Sequence, residues 1–122
     1  MGDPGELDQA LLNPTRLSIV SLLAATRWAE FGYVRDSVGL TDSALSKQVS
    51  ALDKLGYVES DKGYIGKRPR TWLNLTSAGR EALTGHIRAL QLIASAAGER
   101  GAGYHAQDAE HRPGRRAGAE ER

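Results

Sequence analysis

Ser43, Ser46, Lys47, Ser50 and Lys54 recur at helical spacing in one short stretch, with Thr41 just ahead of them. A helix showing serines brings its backbone close to whatever it faces, and each hydroxyl can donate or accept a hydrogen bond. Lys47 and Lys54 add positive charge. A second group follows, in which Lys62, Lys67, Arg68 and Arg70 are interrupted by no acidic residue. Cations neutralise phosphates, and short polar side chains reach base edges in a groove, so both groups suit a polyanion such as DNA. The formal net charge is only +1, so this basic character is local.

Other chemistries are poorly supplied. The absence of cysteine removes disulfides, thiolate zinc sites and thiol redox switching. His86 falls in an apolar helical pattern and reads as an interfacial or partly buried side chain. His105 and His111 have no partner at ligand spacing, so neither a metal nor a cofactor is expected. Glu81 and Asp53 read as solvated helix charges, and no nucleophile–base pattern suggests an enzyme. Hydrophobic residues make up 40% and charged residues 25% of 122, the balance of an ordinary globular domain. No apolar run approaches a membrane span, and the first residues lack the basic and apolar parts of a secretory signal. A cytoplasmic protein is expected.

The elements that must position these groups can be read from periodicity and caps. Asn13-Pro14 starts a helix that should run to about Arg27, with Leu17, Val20, Leu23 and Ala24 inward. Leu7, Leu11 and Leu12 should form a short helical segment ahead of it. A second helix is expected from about Ala29 to Val38, closed by Gly39. Thr41 caps a third, Asp42 to Leu55, with Leu45, Val49 and Leu52 buried and Gly56 at its end. Strands are expected at Tyr57–Ser60 and Thr71–Leu75, joined by a loop with Gly63, Gly66 and Pro69 that carries the basic cluster. Thr76 caps a last helix reaching about Ala97. The fold class is mainly α with a small β-hairpin, in the order α-α-α-β-β-α: a winged helix-turn-helix. Residues 7–97 should form this domain, with 1–6 and 98–122 disordered, since the tail holds no Leu, Ile, Val or Phe.

Two stretches carry a family resemblance. The run Leu40–Val58 (LTDSALSKQVSALDKLGYV) resembles the helix-turn-helix core of bacterial winged-helix regulators of the MarR/ArsR kind. Lys67–Arg80 (KRPRTWLNLTSAGR) resembles their wing and the start of their last helix. The likeness extends over about Leu11 to Ala94 and is greatest to short, stand-alone winged-helix DNA-binding proteins. It implies a homodimeric transcription factor on a palindromic operator. Ser43, Ser46, Lys47 and Ser50 would then lie at bases and Lys67, Arg68 and Arg70 at the wing. ArsR-type sensors use cysteine ligands, which are absent here, and longer MarR proteins carry additional helices at both ends.

Leu83, Ile87, Leu90, Ile93 and Ala94 form the apolar stripe expected to hold the dimer. The aromatic residues read mainly as packing groups, while Trp28, Phe31 and Trp72 could line a pocket for a small aromatic effector. Repression is the expected sign of regulation. A protein-docking module without DNA binding remains the alternative, because winged helices also serve that role and a basic wing can meet an acidic partner.

Overall fold

Asn13 opens the first long helix as its sequence demands. In a computed structural model, which describes residues 6–104, Asn13 Oδ1 accepts from the Arg16 amide at 3.0 Å and Pro14 takes the first helical position. Helix α1 spans Pro14–Ala24, preceded by a single 3-10 turn at Ala10–Leu12. It ends at Ala24, short of Arg27, where the Ala25 amide bonds back to Leu22 O, and Trp28 then turns the chain through a left-handed φ of 52°. The next two residues, Ala29–Glu30, form a strand, β1. Helix α2 therefore begins at Phe31 rather than Ala29 and ends at Val38.

The helix-turn-helix joint follows from one glycine. Gly39 adopts φ 72°, which lets Leu40 N donate back to Arg35 O at 3.0 Å and closes α2. Thr41 Oγ1 then accepts from Ala44 N at 3.1 Å and opens α3, Asp42–Lys54. Gly56 repeats the device at the far end, with φ 79° and a bond from Tyr57 N to Leu52 O.

Strands β2 (Val58–Ile65) and β3 (Arg68–Leu75) are longer than the sequence indicates. They pair antiparallel from Val58↔Leu75 to Ile65↔Arg68, leaving only Gly66 and Lys67 as the turn. Gly66 sits at φ 64° in the first central position, as a type II′ turn requires. The expected loop is thus mostly ladder, and Lys62, Arg68 and Arg70 are strand residues. Pro69 is tolerated because β1 pairs with β3 only at Trp72 and Leu73, so β3 has a free edge where Pro69 lies. The sheet order is β1-β3-β2.

One core gathers these elements. Leu11, Ile19, Val20, Leu23, Val34, Leu45, Leu52 and Leu73 are fully buried, with Val58 and Leu75 nearly so. Each contributes roughly 1.5–3 kcal/mol by leaving water.

Helix α4 spans Ser77–Ala102, and the described residues form two compact units divided between Leu90 and Gln91. In the first unit, α4 turns Gly79, Leu83, His86 and Ala89 inward. Leu83, expected at a dimer interface, therefore belongs to the core instead, while Ile87 and Leu90 are each 41% exposed. The apolar pattern missed this register because the inward stripe includes a histidine and an alanine. In the second unit the described residues are exposed throughout, Leu92 and Ile93 among them. The helix passes the expected end at Ala97 despite Gly98 and Gly101, since extending an existing helix is far cheaper than starting one. The expected disordered ends otherwise fall largely at residues 1–5 and 105–122, outside the described residues.

Candidate nucleic-acid interface

Helix α3 has two sharply different sides. Leu45 and Leu52 are buried and Val49 half-buried, which fixes the helix against the core. Ser43, Ser46, Lys47, Ser50 and Lys54 all remain exposed on the other side. The polar face read from the sequence is therefore brought together as one surface. Thr41 lies at its end with its hydroxyl engaged as the helix cap. Arg16 braces α3 from α1: its Nε donates to Ala10 O at 2.8 Å and its Nη1 to Gln48 Oε1 at 3.1 Å.

The hairpin beside α3 also has two faces, set by strand alternation. The face that carries Val58, Leu73 and Leu75 into the core carries Ser60, Lys62, Tyr64, Pro69 and Thr71 further out. The other face carries Glu59, Asp61, Arg70, Trp72 and Asn74. There the Trp72 ring lies over Gly63, so close that a Cβ on Gly63 would stand 3.1 Å from Trp72 Cζ3. A cleft of about 1070 Å³ separates α2 and α3 from the hairpin, lined by Phe31, Tyr33, Arg35, Ser46, Ser50, Lys62, Tyr64, Arg68 and Thr71, among others.

Charge in this cleft is arranged by pairs that sequence inspection missed. Arg35 Nε meets Asp36 Oδ1 at 2.8 Å and its Nη1 meets Asp42 Oδ1 at 2.7 Å, bridging the turn between α2 and α3. The hydrogen bond from Arg35 holds the Asp36 carboxyl below the usual carboxylate range, and its two acidic partners, Asp36 first, push Arg35 further up. Asp42 also lies where a carboxylate favours the N-terminus of α3. Across the sheet, Arg70 Nε lies 2.5 Å from Glu30 Oε2, an ion pair of close charges rather than a well-directed hydrogen bond. The seven-residue offset between Arg35 and Asp42 was visible, but only the turn geometry makes it a contact.

The remaining sequence-singled residues are placed as follows. Lys67 occupies the hairpin turn and Arg68 the first position of β3, both exposed. Phe31 lines the cleft and packs on the core, whereas Trp28 and Trp72 do not line it. The structure therefore does not gather the three aromatic residues into one pocket. His86 is buried, and its Nδ1 accepts from Asp8 N at 3.0 Å. No group of three His, Cys, Asp or Glu side chains suited to a metal occurs among the described residues. No helix among them is long and apolar enough to cross a membrane.

Comparison with known proteins agrees with this geometry. The family model described as the winged helix DNA-binding domain matches residues 15–94. An uncharacterized protein of Methanocaldococcus jannaschii is 33% identical over 72 residues, which cover 59% of this chain and 78% of that one. A transcriptional regulator homologue from Pyrococcus horikoshii superposes with a TM-score of 0.67 at 29% identity, covering 73% of this chain and 88% of that chain. The zinc-responsive MarR family member ZitR of Lactococcus lactis shares the fold, with a TM-score of 0.55 at 18% identity over 88% of this chain and 72% of that one.

Proposed function

The chain belongs to the winged helix DNA-binding domain family, and from that premise we propose that it is a MarR-like transcriptional regulator acting as a homodimeric repressor on a palindromic operator. In this reading α3 enters the major groove of each half-site. Ser43, Ser46, Lys47 and Ser50 meet base edges, and Lys54 meets a phosphate. The hairpin contacts the flanking backbone through Lys67 and Arg68. The carrying observation is the exposed face of α3, where these polar side chains stand opposite the buried Leu45 and Leu52. In this reading the protein works in the cytoplasm.

The reading includes a small aromatic effector near Trp28 and Trp72. Trp72 stands opposite Glu30 in the β1–β3 ladder, and Trp28 immediately precedes that strand. Quenching of tryptophan fluorescence by simple aromatic acids, with parallel loss of DNA binding, tests that part.

Footprinting on the DNA upstream of its own gene should yield a two-fold symmetric protected site, since small regulators often control adjacent genes. Operator variants then test the base assignments. Lys47→Ala, Ser43→Ala and Ser46→Ala should each cost roughly 1–3 kcal/mol at one base pair and little elsewhere. Equal losses on operator and random DNA would reduce these residues to backbone contacts.

A further inference from the structure

We infer that Arg16 is a positioning residue for α3, tied to α4 through the hydrogen-bonded turn at Asp8–Leu11, and that this chain of bonds holds α3 at the rotation in which its serines and Lys47 meet bases. The inference rests on the DNA-binding reading and names what keeps the reading helix in register.

Apolar packing sets the rotation of α3 only loosely. Leu45, Val49 and Leu52 turn inward, but hydrophobic contact is non-directional. A hydrogen bond has direction, and one falls on the border between the buried and exposed sides. There the half-buried Gln48, next to Lys47 in the chain, accepts from Arg16 Nη1 at 3.1 Å. A guanidinium only donates, and its planar fork fixes two acceptors relative to one another. The second acceptor is Ala10 O, 2.8 Å from Arg16 Nε. Arg16 is half-buried and pairs with no carboxylate among the described residues, so its donors serve geometry rather than charge.

Ala10 is itself pinned. Asp8 Oδ1 accepts from Ala10 N at 2.9 Å and from Leu11 N at 3.3 Å, and Leu11 is fully buried. Asp8 Oδ2 accepts from the Tyr57 hydroxyl, and Asp8 N donates to His86 Nδ1 at 3.0 Å. His86 is buried on α4, next to the exposed Ile87. Directed bonds therefore run from His86 through Asp8, Ala10 and Arg16 to Gln48, joining α4 to α3. Base contacts demand that a side chain be held to within about 0.5 Å, whereas phosphate contacts carry no sequence information. Loosening this chain of bonds should therefore cost sequence discrimination before it costs general affinity for DNA.

The test is the ratio of affinities for a duplex that the wild-type protein selects from a random pool and for random duplex of equal length, with thermal melting of each variant as a folding control. Arg16→Lys keeps the charge but cannot span both acceptors, and Gln48→Met keeps the length without the oxygen. Each should lower the ratio roughly fivefold to tenfold, the worth of one or two hydrogen bonds, with random-duplex affinity unchanged. The double variant should be no worse than either single one, because both cut the same link. At the far end, His86→Leu removes the acceptor and should lower the ratio, while His86→Asn, whose Oδ1 can replace Nδ1, should recover most of it. Losses that multiply in the double variant, a wild-type ratio in Gln48→Met, or equal ratios in the two His86 variants overturn the inference while the DNA reading stands. So does a salt slope shallower by about 0.9 in Arg16→Ala, which would make Arg16 a phosphate contact. A wild-type protein that selects no duplex from the pool overturns the DNA reading itself.

Discussion

Tyr57 lies where three segments meet. Its hydroxyl donates to Asp8 Oδ2 at 2.5 Å, while Asp8 Oδ1 accepts from Ala10 N and the Asp8 amide donates to His86. Partial burial, and then the adjacent carboxylate, push the Tyr57 hydroxyl up to about 12 from an ordinary value of 10.0. The folded state therefore prefers neutral tyrosine. Its contribution is intact below pH 10, where the unfolded chain is also neutral, and is lost as pH rises through 12. Melting temperature should fall over that window, and Tyr57→Phe should make the fall shallower. Matching pH profiles for the two proteins would show that this hydroxyl does not govern the alkaline loss. The sequence marked Tyr57 only as one aromatic among several. Its partner is 49 positions away, as Glu30 is far from Arg70, and such pairs are decided by packing. The serines of α3 were legible because their signal is local: one helix and one spacing.

Gly79 shows the same division at the scale of elements. A Cβ there would stand 2.3 Å from Tyr57 O and 2.6 Å from Leu75 Cδ1, so the first turn of α4 rests directly on the residue that leads into β2 and on β3. Thr76 fastens the junction, accepting from Gly79 N at 3.0 Å and donating to Gly56 O at 2.6 Å. Helix propensity alone says that alanine should stabilise this position by up to about 1 kcal/mol. The backbone oxygen cannot yield as a flexible side chain would, so Gly79→Ala should instead destabilise by roughly 1–3 kcal/mol, read as a lower urea midpoint. A higher midpoint would mean that α4 lifts away freely. Caps were the legible part of the elements: Asn13, Thr41, Gly39 and Gly56 stand where their chemistry places them. The two-residue β1 was not legible, because nothing in Ala29–Glu30 marks a strand until β3 lies beside it. The hairpin was read too short because Gly63 and Pro69 resemble loop residues, while one lies under Trp72 and the other on a free edge.

For the whole molecule the open question is what covers α4. Leu83 and Ala89 are spent on the chain's own core, but Ile87 and Leu90 are each 41% exposed, close together on the helix surface. Further along the same helix, Leu92 and Ile93 are each 52% exposed. Apolar side chains clustered on one exposed element usually mark an interface. A two-fold partner also fits the proposed task, because two recognition helices must reach half-sites about one DNA turn, ~34 Å, apart. The side chains at 87 and 90 are not needed to close the core, so Ile87→Glu with Leu90→Glu should preserve melting and yield monomers. Operator affinity should then fall by about 100-fold or more, because the second half-site no longer binds within the same complex. Binding to random duplex should fall less, since phosphate contacts of one protomer remain. Sedimentation at micromolar concentration decides the matter: a wild-type monomer, or a dimer that survives both glutamates, places the symmetry of the operator complex on some other surface.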